Sequence, residues 1–411
     1  MREWQQLKNV YHFFQAHWWR MFYRFPDRGV KIYGVTGTNG KTTTCYVLAS
    51  ILRAAYGKEK VGMLSTVGIW VGEEESINET KMTTTDSAVV YRRLRRMREC
   101  GVEHVVLEMT SHALDQNRLV GMTLSGAIIL NIEREHLDYH GTMEEYALAK
   151  ARIIDYVREE SPIVVRGDLV RKSQIANPKS QNRRLIMFTE EQARDVSTPL
   201  PGDFNKENVL AASLLAKSVG IGEEAVQRGV MVVKQVPGRM EWVRLNDQFP
   251  MTNDQLPRVL IDYAVTPGAL DRLYEYVRGA LRQAQGSQDG RIIAILGAAG
   301  RRDRGKRPDM ARVVARYADE IVLTREDPWT EDEEQIFSDL EKGLVDVTIP
   351  WRRIVDRRAA IAYCLQKAGQ GDVVVITGKG AETGMGVGKG IVPWSDKEVI
   401  LGLMKKRSND Q

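Results

Sequence analysis

The sequence is short of several things, and each shortage removes a class of protein. Only three cysteines occur in 411 residues, Cys45, Cys100 and Cys364, far apart and with no Cys-x-x-Cys pair. That argues against a zinc site or a disulfide framework and suits a reducing cytoplasm. No run of about 20 nearly uncharged apolar residues is present, so no membrane-spanning helix is expected, and no small-residue cleavage site marks a signal peptide. Charge of one sign is lacking too: 59 lysines and arginines against 54 aspartates and glutamates leave a net +5. So small an excess suits an anionic substrate or surface, and no nucleic-acid partner is expected. There is no internal repeat or long low-complexity tract; Gln283 to Gly290 reads as a polar loop and Lys405 onward as a frayed tail. Gly297-Ala298-Ala299-Gly300 is not a dinucleotide fingerprint, so NAD is not implied.

What is present describes an ordinary globular chain, 27% charged and 43% hydrophobic, and too long for a single core. Strand-like and helix-like segments alternate from residue 31 to about 236. The alternation restarts after Val236-Pro237-Gly238-Arg239-Met240-Glu241, with strands expected at Val259–Tyr263, Arg291–Gly297, Glu320–Thr324 and Asp372–Thr377. The class is therefore α/β: a central domain with a mostly parallel sheet over 31–236 and a Rossmann-like domain over 237–411. Residues 1–30 stand apart. Eight aromatics, Tyr11, Phe13, Phe14, Trp18, Trp19, Phe22, Tyr23 and Phe25, crowd into fifteen positions among histidines and arginines. They predict either a helix whose aromatic side packs on its own domain or an interfacial helix that meets a membrane surface through residues 1–25. The basic run Arg92–Arg98 reads as a solvated helix face.

The most informative stretch is Gly37-Thr38-Asn39-Gly40-Lys41-Thr42-Thr43. An apolar strand over Val30–Val35 precedes it and a helix through Cys45–Leu52 follows. Strand, glycine loop and helix make a phosphate cradle: backbone N–H groups and the helix N-terminus meet phosphate oxygens, Lys41 neutralises charge and Thr42 offers a hydroxyl to magnesium. The strict Walker pattern fails by one residue, since Val35 stands where it wants glycine. Two more buried strands end in polar residues, His104–Glu108 and Gly126–Ile132 with His136 following. Ligands of open α/β sheets bind at strand carboxyl ends, which puts Glu108 and His136 on the same edge as the loop. Singly, Glu108 reads equally well as a helix cap and His136 as a loop histidine.

Eight ordered segments together resemble the Mur ligases, most closely the MurE-type tripeptide synthetases. They are Gly37–Thr42, Glu108-Met109-Thr110-Ser111-His112-Ala113-Leu114, His136-Leu137-Asp138-Tyr139-His140-Gly141-Thr142-Met143, Lys150-Ala151-Arg152, Phe204-Asn205-Lys206-Glu207-Asn208, Pro237–Glu241, Asp262-Tyr263-Ala264 and Arg302-Asp303-Arg304-Gly305-Lys306-Arg307-Pro308. The resemblance implies ATP- and magnesium-dependent amide formation: a substrate carboxylate is phosphorylated and an amine attacks the acyl phosphate. It implies a muramoyl-peptide acceptor, an amino acid and a monomeric cytoplasmic enzyme of cell-wall assembly. By the same resemblance Lys41, Glu108, His136 and Lys150 are catalytic. Thr42, Glu108, His136 and a carbamylated Lys150 hold metal, because a lysine carbamate offers the anionic oxygen that magnesium prefers. Asn205 and Asn208 contact adenine, Arg239 and Asp262 lie around the nucleotide, and Thr83, Thr84, Ser111, His112 and Arg118 grip the acceptor. Arg302, Asp327, Gly378 and Glu382 mark the amino-acid pocket.

Departures from the family carry expectations of their own. Its members carry a uridine-binding domain ahead of the catalytic strand, where 30 residues stand here. An acceptor without UDP, one held by fewer contacts, or one linked to a membrane is therefore expected. Diaminopimelate enzymes read Asp-Asn-Pro-Arg where this chain has Glu326-Asp327-Pro328-Trp329, and Ala381 and Val265 replace usual histidines. With Trp329 in place of an arginine, a lysine-like amine is expected over diaminopimelate, its ammonium meeting Asp327 or Glu382. Two other readings stay open: a ligase of another carboxylate acceptor, as in the folylpolyglutamate synthetases, and a nucleotide-binding membrane scaffold without ligase activity.

Overall fold

The computed structural model describes residues 2–80, 82–171, 183–243, 257–284 and 290–409. The chain divides into two compact units, Met1–Lys234 and Gln235–Gln411. Each is built on one twisted, mainly parallel sheet, as the apolar strand runs dictate.

The strands of the first unit are β1 (Lys31–Thr36), β2 (Val61–Leu64), β3 (Gly68–Val71), β4 (Glu74–Ile77), β5 (His104–Glu108), β6 (Gly126–Ile129), β7 (Ile163–Arg166) and β8 (Leu185–Phe188). They lie in the order β4-β3-β2-β5-β1-β6-β7-β8, with β2 through β8 parallel and β3 and β4 added antiparallel at one edge. β1 is central, its Val35 paired with Glu108 of β5 and its Thr36 with Ile129 of β6. The carboxyl ends of three neighbouring strands therefore emerge side by side. The strand expected to run through Ile132 stops at Ile129, because Asn131 leaves the ladder to bond with the loop after β1.

Helix α1 (Arg2–Phe22) opens the unit, α2 (Lys41–Tyr56) follows the glycine loop, and α3 (Ser87–Glu99) packs beside α1. On α3, Val90, Tyr91, Leu94 and Met97 are buried while Arg92, Arg96 and Arg98 face solvent, as the basic run predicts. Helix α1 and the residue after it divide their apolar side chains: Ala16 is buried in the core and Trp19 and Tyr23 pack against it, whereas Tyr11, Phe14, Trp18 and Phe22 are exposed. A bidentate pair from Arg20 to the buried Asp27, at 2.9 Å for both bonds, fixes the helix end. Over α2 lie helices Asp203–Ser218 and Glu223–Val232, so close that a Cβ on Gly229 would stand 2.3 Å from the Ile51 Cα.

The second unit contains β9 (Glu241–Val243), β10 (Arg258–Asp262), β11 (Ile292–Leu296), β12 (Glu320–Leu323), β13 (Trp351–Arg353) and β14 (Val373–Thr377). They run in the order β13-β12-β11-β14-β10-β9, parallel except for β9, and a hairpin of β15 (Gly384–Val387) and β16 (Gly390–Pro393) stands apart from this sheet. Helices such as Pro267–Ala284 and Arg357–Lys367 make the crossovers expected of a Rossmann-like sheet. Two buried arginines tie the loops down, since a buried guanidinium requires carboxylates around it. Arg357 pairs with Asp396 at 2.7 Å, and Arg307 with Glu331 at 2.7 Å and Asp339 at 3.1 Å. The tail expected from Lys405 is instead the end of helix Asp396–Asn409, anchored by buried Val399, Ile400 and Met404. Of the polar loop expected at Gln283–Gly290, residues 285–289 lie outside the described residues.

Candidate active site

The loop between β1 and α2 is shaped by its own side chains and by the segment after β6. Gly40 caps α2 with φ 82, and a Cβ there would stand 2.1 Å from the Asn208 Oδ1, so only glycine fits. Asn131 Oδ1 accepts from the Thr38 N–H (3.1 Å) and the Asn39 N–H (2.8 Å), and the Asn39 amide donates to Glu133 at 2.9 Å. Lys41 folds back, its ammonium donating to the Gly37 carbonyl at 3.0 Å and the Thr38 carbonyl at 2.9 Å. Thr43 is buried in the first turn. The positive end of α2, with no acidic residue in its first turn, meets this loop, which suits it to phosphate.

Glu108, buried at the end of β5, accepts from the Thr42 hydroxyl at 3.1 Å on either oxygen, from the Thr66 N–H at 2.8 Å and from the Thr66 hydroxyl at 2.9 Å. The Thr83 hydroxyl lies 2.8 Å from that of Thr66. The Thr84 hydroxyl donates to the Glu108 carbonyl at 2.8 Å, and Arg118 reaches the Thr84 carbonyl at 2.9 Å. Burial holds the Arg118 guanidinium below its ordinary pKa, Asp86 working against that. Ser111, at the head of the short helix Ser111–Asp115, shares a 3.0 Å hydrogen bond with the His140 Nε2. Burial pushes His140 down to about 4, so that ring is neutral at physiological pH. His136 sits at φ 57 ahead of the turn Leu137–His140, its ring 4.7 Å from that of His112.

Lys150 is 2% exposed, and its amine donates to the Gly37 carbonyl at 2.7 Å, the oxygen that Lys41 also uses. Burial first, and the Lys41 charge second, hold its pKa well below the ordinary lysine value. A neutral amine is the form that combines with carbon dioxide, so the environment favours the carbamate that the resemblance implies. Tyr146 ties the parts together: its ring lies 4.5 Å from the Lys150 amine and 6.2 Å from the His136 ring, and its hydroxyl is 3.1 Å from the Thr38 Oγ1. Asn205 and Asn208, one turn apart and buried, are joined at 3.0 Å, with Asn208 against Gly40.

The first unit thus brings together Gly37–Thr43, Thr83, Thr84, Glu108, Ser111, His112, Arg118, His136, Lys150, Asn205 and Asn208 at one sheet edge. Thr66, Asn131 and Tyr146 went unremarked in the sequence. Thr66 and Asn131 stand just after β2 and β6, so their position at strand carboxyl ends was the available signal; for Tyr146 there was none.

In the second unit the expected residues gather at the carboxyl ends of β10, β11, β12 and β14. The Arg239 guanidinium lies 4.2 Å over the Tyr263 ring, and Asp262 accepts from the Met240 N–H at 2.7 Å. Burial raises the Asp262 pKa, while Arg239 opposes it. Gly378, at φ 106, donates to the Asp262 carbonyl at 3.2 Å. Arg302 is exposed. The carboxylates of the expected amine pocket are already paired. Asp327 accepts from the Lys379 ammonium and the Gly386 N–H, each at 2.7 Å, and Glu382 also pairs with Lys379, so both carboxylates already share an internal cation. Trp329 lies against the hairpin, its backbone N–H donating to the Gly386 carbonyl at 3.0 Å. Glu326 instead has a buried Oε2 with no hydrogen-bond partner among the described residues, and burial raises its pKa to about 7.

A glycine loop on a helix N-terminus, with a buried carboxylate and a buried amine beside it, defines a nucleotide-dependent P-loop enzyme of the α/β class. The chain belongs to the Mur ligase family, whose members are ATP-dependent ligases that form carbon–nitrogen bonds. Residues 35–195 match the Mur ligase middle domain and residues 238–380 the Mur ligase glutamate ligase domain. The chain is 34% identical over 406 residues to the UDP-N-acetylmuramoyl-L-alanyl-D-glutamate–2,6-diaminopimelate ligase of Alkalilimnicola ehrlichii, covering 92% of this chain and 77% of that one. It is 33% identical over 420 residues to the UDP-N-acetylmuramyl-tripeptide synthetase of a Roseiflexus species, covering 91% and 78%. Among solved structures, a diaminopimelate ligase of the same name superposes with a TM-score of 0.56 at 28% identity, over 98% of this chain and 83% of that one. A bifunctional folylpolyglutamate synthase/dihydrofolate synthase from Yersinia pestis, complexed with AMPPNP and Mn ion, gives 0.65 at 20% identity, over 96% and 93%, and shares the fold.

Proposed function

We propose that the chain joins an amino acid to the free carboxylate of a muramoyl-peptide acceptor at the expense of ATP. The observation that carries this reading is the buried, charge-poor Lys150 on the Gly37 carbonyl of the phosphate loop, in a chain similar along nearly its whole length to tripeptide synthetases. The acceptor carboxylate oxygen attacks the terminal phosphorus of ATP and ADP leaves. The amine then adds to the acyl carbon, and phosphate departs with the carboxylate oxygen as the amide forms. The obstacle is crowded negative charge, and positioning with electrostatics supplies the remedy.

Lys41 and the α2 N-terminus neutralise phosphate oxygens. Thr83, Thr84, Ser111, His112 and Arg118 hold the acceptor, Asn205 and Asn208 the adenine, and Arg239 and Asp262 the rest of the nucleotide. Arg302, Asp327, Gly378 and Glu382 surround the incoming amino acid. The donor set fits magnesium: a hydroxyl and a buried carboxylate 3.1 Å apart, Thr42 and Glu108, are hard oxygen ligands, joined by His136 and the Lys150 carbamate. Magnesium there would neutralise charge on the phosphate oxygens. The catalytic domain spans 31–236 and the second domain 237–411. The enzyme acts in the cytoplasm as a monomer, with peripheral membrane contact through residues 1–25.

The test is phosphate release measured across a panel of carboxylate acceptors and amines. Release that requires both a muramoyl peptide and an amino acid supports the reading. Turnover on folate-like acceptors in its place, or none on any pair, refutes it.

A further inference from the structure

Helix α1 presents two very different faces. Its inner face is tied to the domain by Ala16 in the core with Trp19 and Tyr23 packed against it, by the Arg20–Asp27 pair and by the Asn9 amide on the Asp115 carbonyl at 3.1 Å. At 3.6 residues per turn, Val10, Tyr11, Phe14, Trp18, Met21 and Phe22 fall within one outward arc of about 120°. All six are exposed, from 53% for Val10 to 66% for Phe14, and between Val10 and Phe22 the helical spacing places no charged residue inside the arc. A contiguous apolar surface of that kind is uncommon on a folded domain unless something covers it.

The charges around the arc say what does. Residues 8–25 contain no aspartate or glutamate; the next acid in sequence, Asp27, is buried against Arg20, and Asp115 meets the inner face at Asn9, 3.4 Å away. Exposed Arg24 and Arg28 follow the helix, and exposed Arg92 and Arg98 lie on the neighbouring α3, where Arg98 reaches the Phe25 carbonyl at 3.3 Å. A second copy of this chain would bring two arginine rims together, whereas an anionic lipid surface complements them. Tryptophan, tyrosine and phenylalanine beside arginine is also the composition suited to the headgroup boundary. The helix does not cross: among the described residues no helix is long and apolar enough to span a membrane.

We propose that α1 is an interfacial anchor. The stripe from Val10 to Phe22 enters the headgroup–acyl boundary of an anionic bilayer, and Arg24, Arg28 and Arg92 meet lipid phosphates. This rests on the peripheral contact proposed above and assigns its residues and its lipid charge.

The test uses the full chain, sedimented with phosphatidylcholine vesicles made with and without phosphatidylglycerol. The wild type binds the anionic vesicles at least about tenfold more tightly than the neutral ones, and added salt weakens the binding. The double variant Phe14→Ser/Trp18→Ser loses at least about tenfold of that affinity, while its melting temperature and its ligation of a water-soluble acceptor stay at wild-type values. A wild type that ignores anionic vesicles overturns the anchor, as does a concentration-dependent dimer that the double variant abolishes. A chain that binds vesicles but ligates nothing leaves the anchor standing and counts against the ligase reading alone.

Discussion

Replacing Lys379 by methionine removes one charge at nearly constant volume and tests how the second unit is held together. The Lys379 side chain is 0% exposed, and its ammonium is shared by Asp327 and Glu382, themselves 11% and 16% exposed. Those carboxylates hold its pKa above the ordinary lysine value, against burial, which lowers it. In Lys379→Met, Asp327 keeps the Gly386 N–H but loses the cation, and Glu382 loses its bond to that cation. Breaking a buried pair from one side costs about 3–5 kcal/mol. At roughly 2–4 °C per kcal/mol for a domain of this size, the transition of the second unit falls by about 6–20 °C.

The loss has a pH signature. In the wild type the lysine's folded pKa is raised, so its contribution is present below about 10.4, the ordinary value, and is lost only as pH climbs through the higher folded one. In the variant the stranded carboxylates have folded pKa values above their unfolded ones near 4, so their penalty disappears as pH falls toward that range. Melting of the full chain by calorimetry at pH 8 and at pH 5 reads both effects: a large deficit at pH 8 and a smaller one at pH 5. A melting temperature within about 2 °C of wild type at pH 8, or an equal deficit at both values, refutes the pairing.

Three further outcomes are expected. Lys150→Ala lowers ligation strongly while ATP binding survives, and formate or acetate partly restores it by refilling the carbamate position; wild-type turnover in the alanine variant excludes the carbamate. Trp329 leaves the distal carboxylate of diaminopimelate without a guanidinium, and Arg325 is already bidentate to Glu333 at 2.8 and 2.9 Å. An unpaired buried charge costs roughly 3–5 kcal/mol, several hundredfold, so kcat/KM for lysine exceeds that for diaminopimelate. The reverse order points to Arg301 or Arg302 as the clamp. His104, buried against Tyr56 with its rings 4.0 Å apart, is depressed to about 4 by burial. Its stabilising contribution is present above pH 6.5 and is lost as pH falls from there toward 4, by at most about 3 kcal/mol; His104→Phe flattens that slope in a melting series.

The sheets were legible because parallel strands buried on both faces leave apolar runs that end abruptly in polar residues, as His104–Glu108 does. Those abrupt ends located Glu108 and His136, and the glycine–lysine–threonine loop needed no structure to be recognised. Lys150 was different. Nothing local distinguishes it from a solvated helix lysine, and only the resemblance singled it out before its burial on the Gly37 carbonyl was visible. Thr66, Asn131 and Tyr146 act through hydrogen bonds and ring contacts across distant segments, which no single-segment pattern encodes.

The pairing inside the expected amine pocket was equally illegible. Asp327 and Glu382 carry the right charge for a substrate ammonium, yet Lys379, three residues before Glu382, reaches them first. The C-terminal helix was cut short in the sequence reading because Lys405–Asn409 is wholly polar. Its anchor is buried Val399, Ile400 and Met404, which lie ahead of that polar stretch.

The most direct test of the central claim follows an oxygen atom. With the acceptor carboxylate labelled with heavy oxygen, ligation through an acyl phosphate moves one labelled oxygen per amide formed into inorganic phosphate, read by mass spectrometry or by the phosphorus-31 shift. The account requires one label per amide, and no labelled phosphate when the acceptor is omitted. Amide formed with unlabelled phosphate would contradict it, as would phosphate release that proceeds without any acceptor.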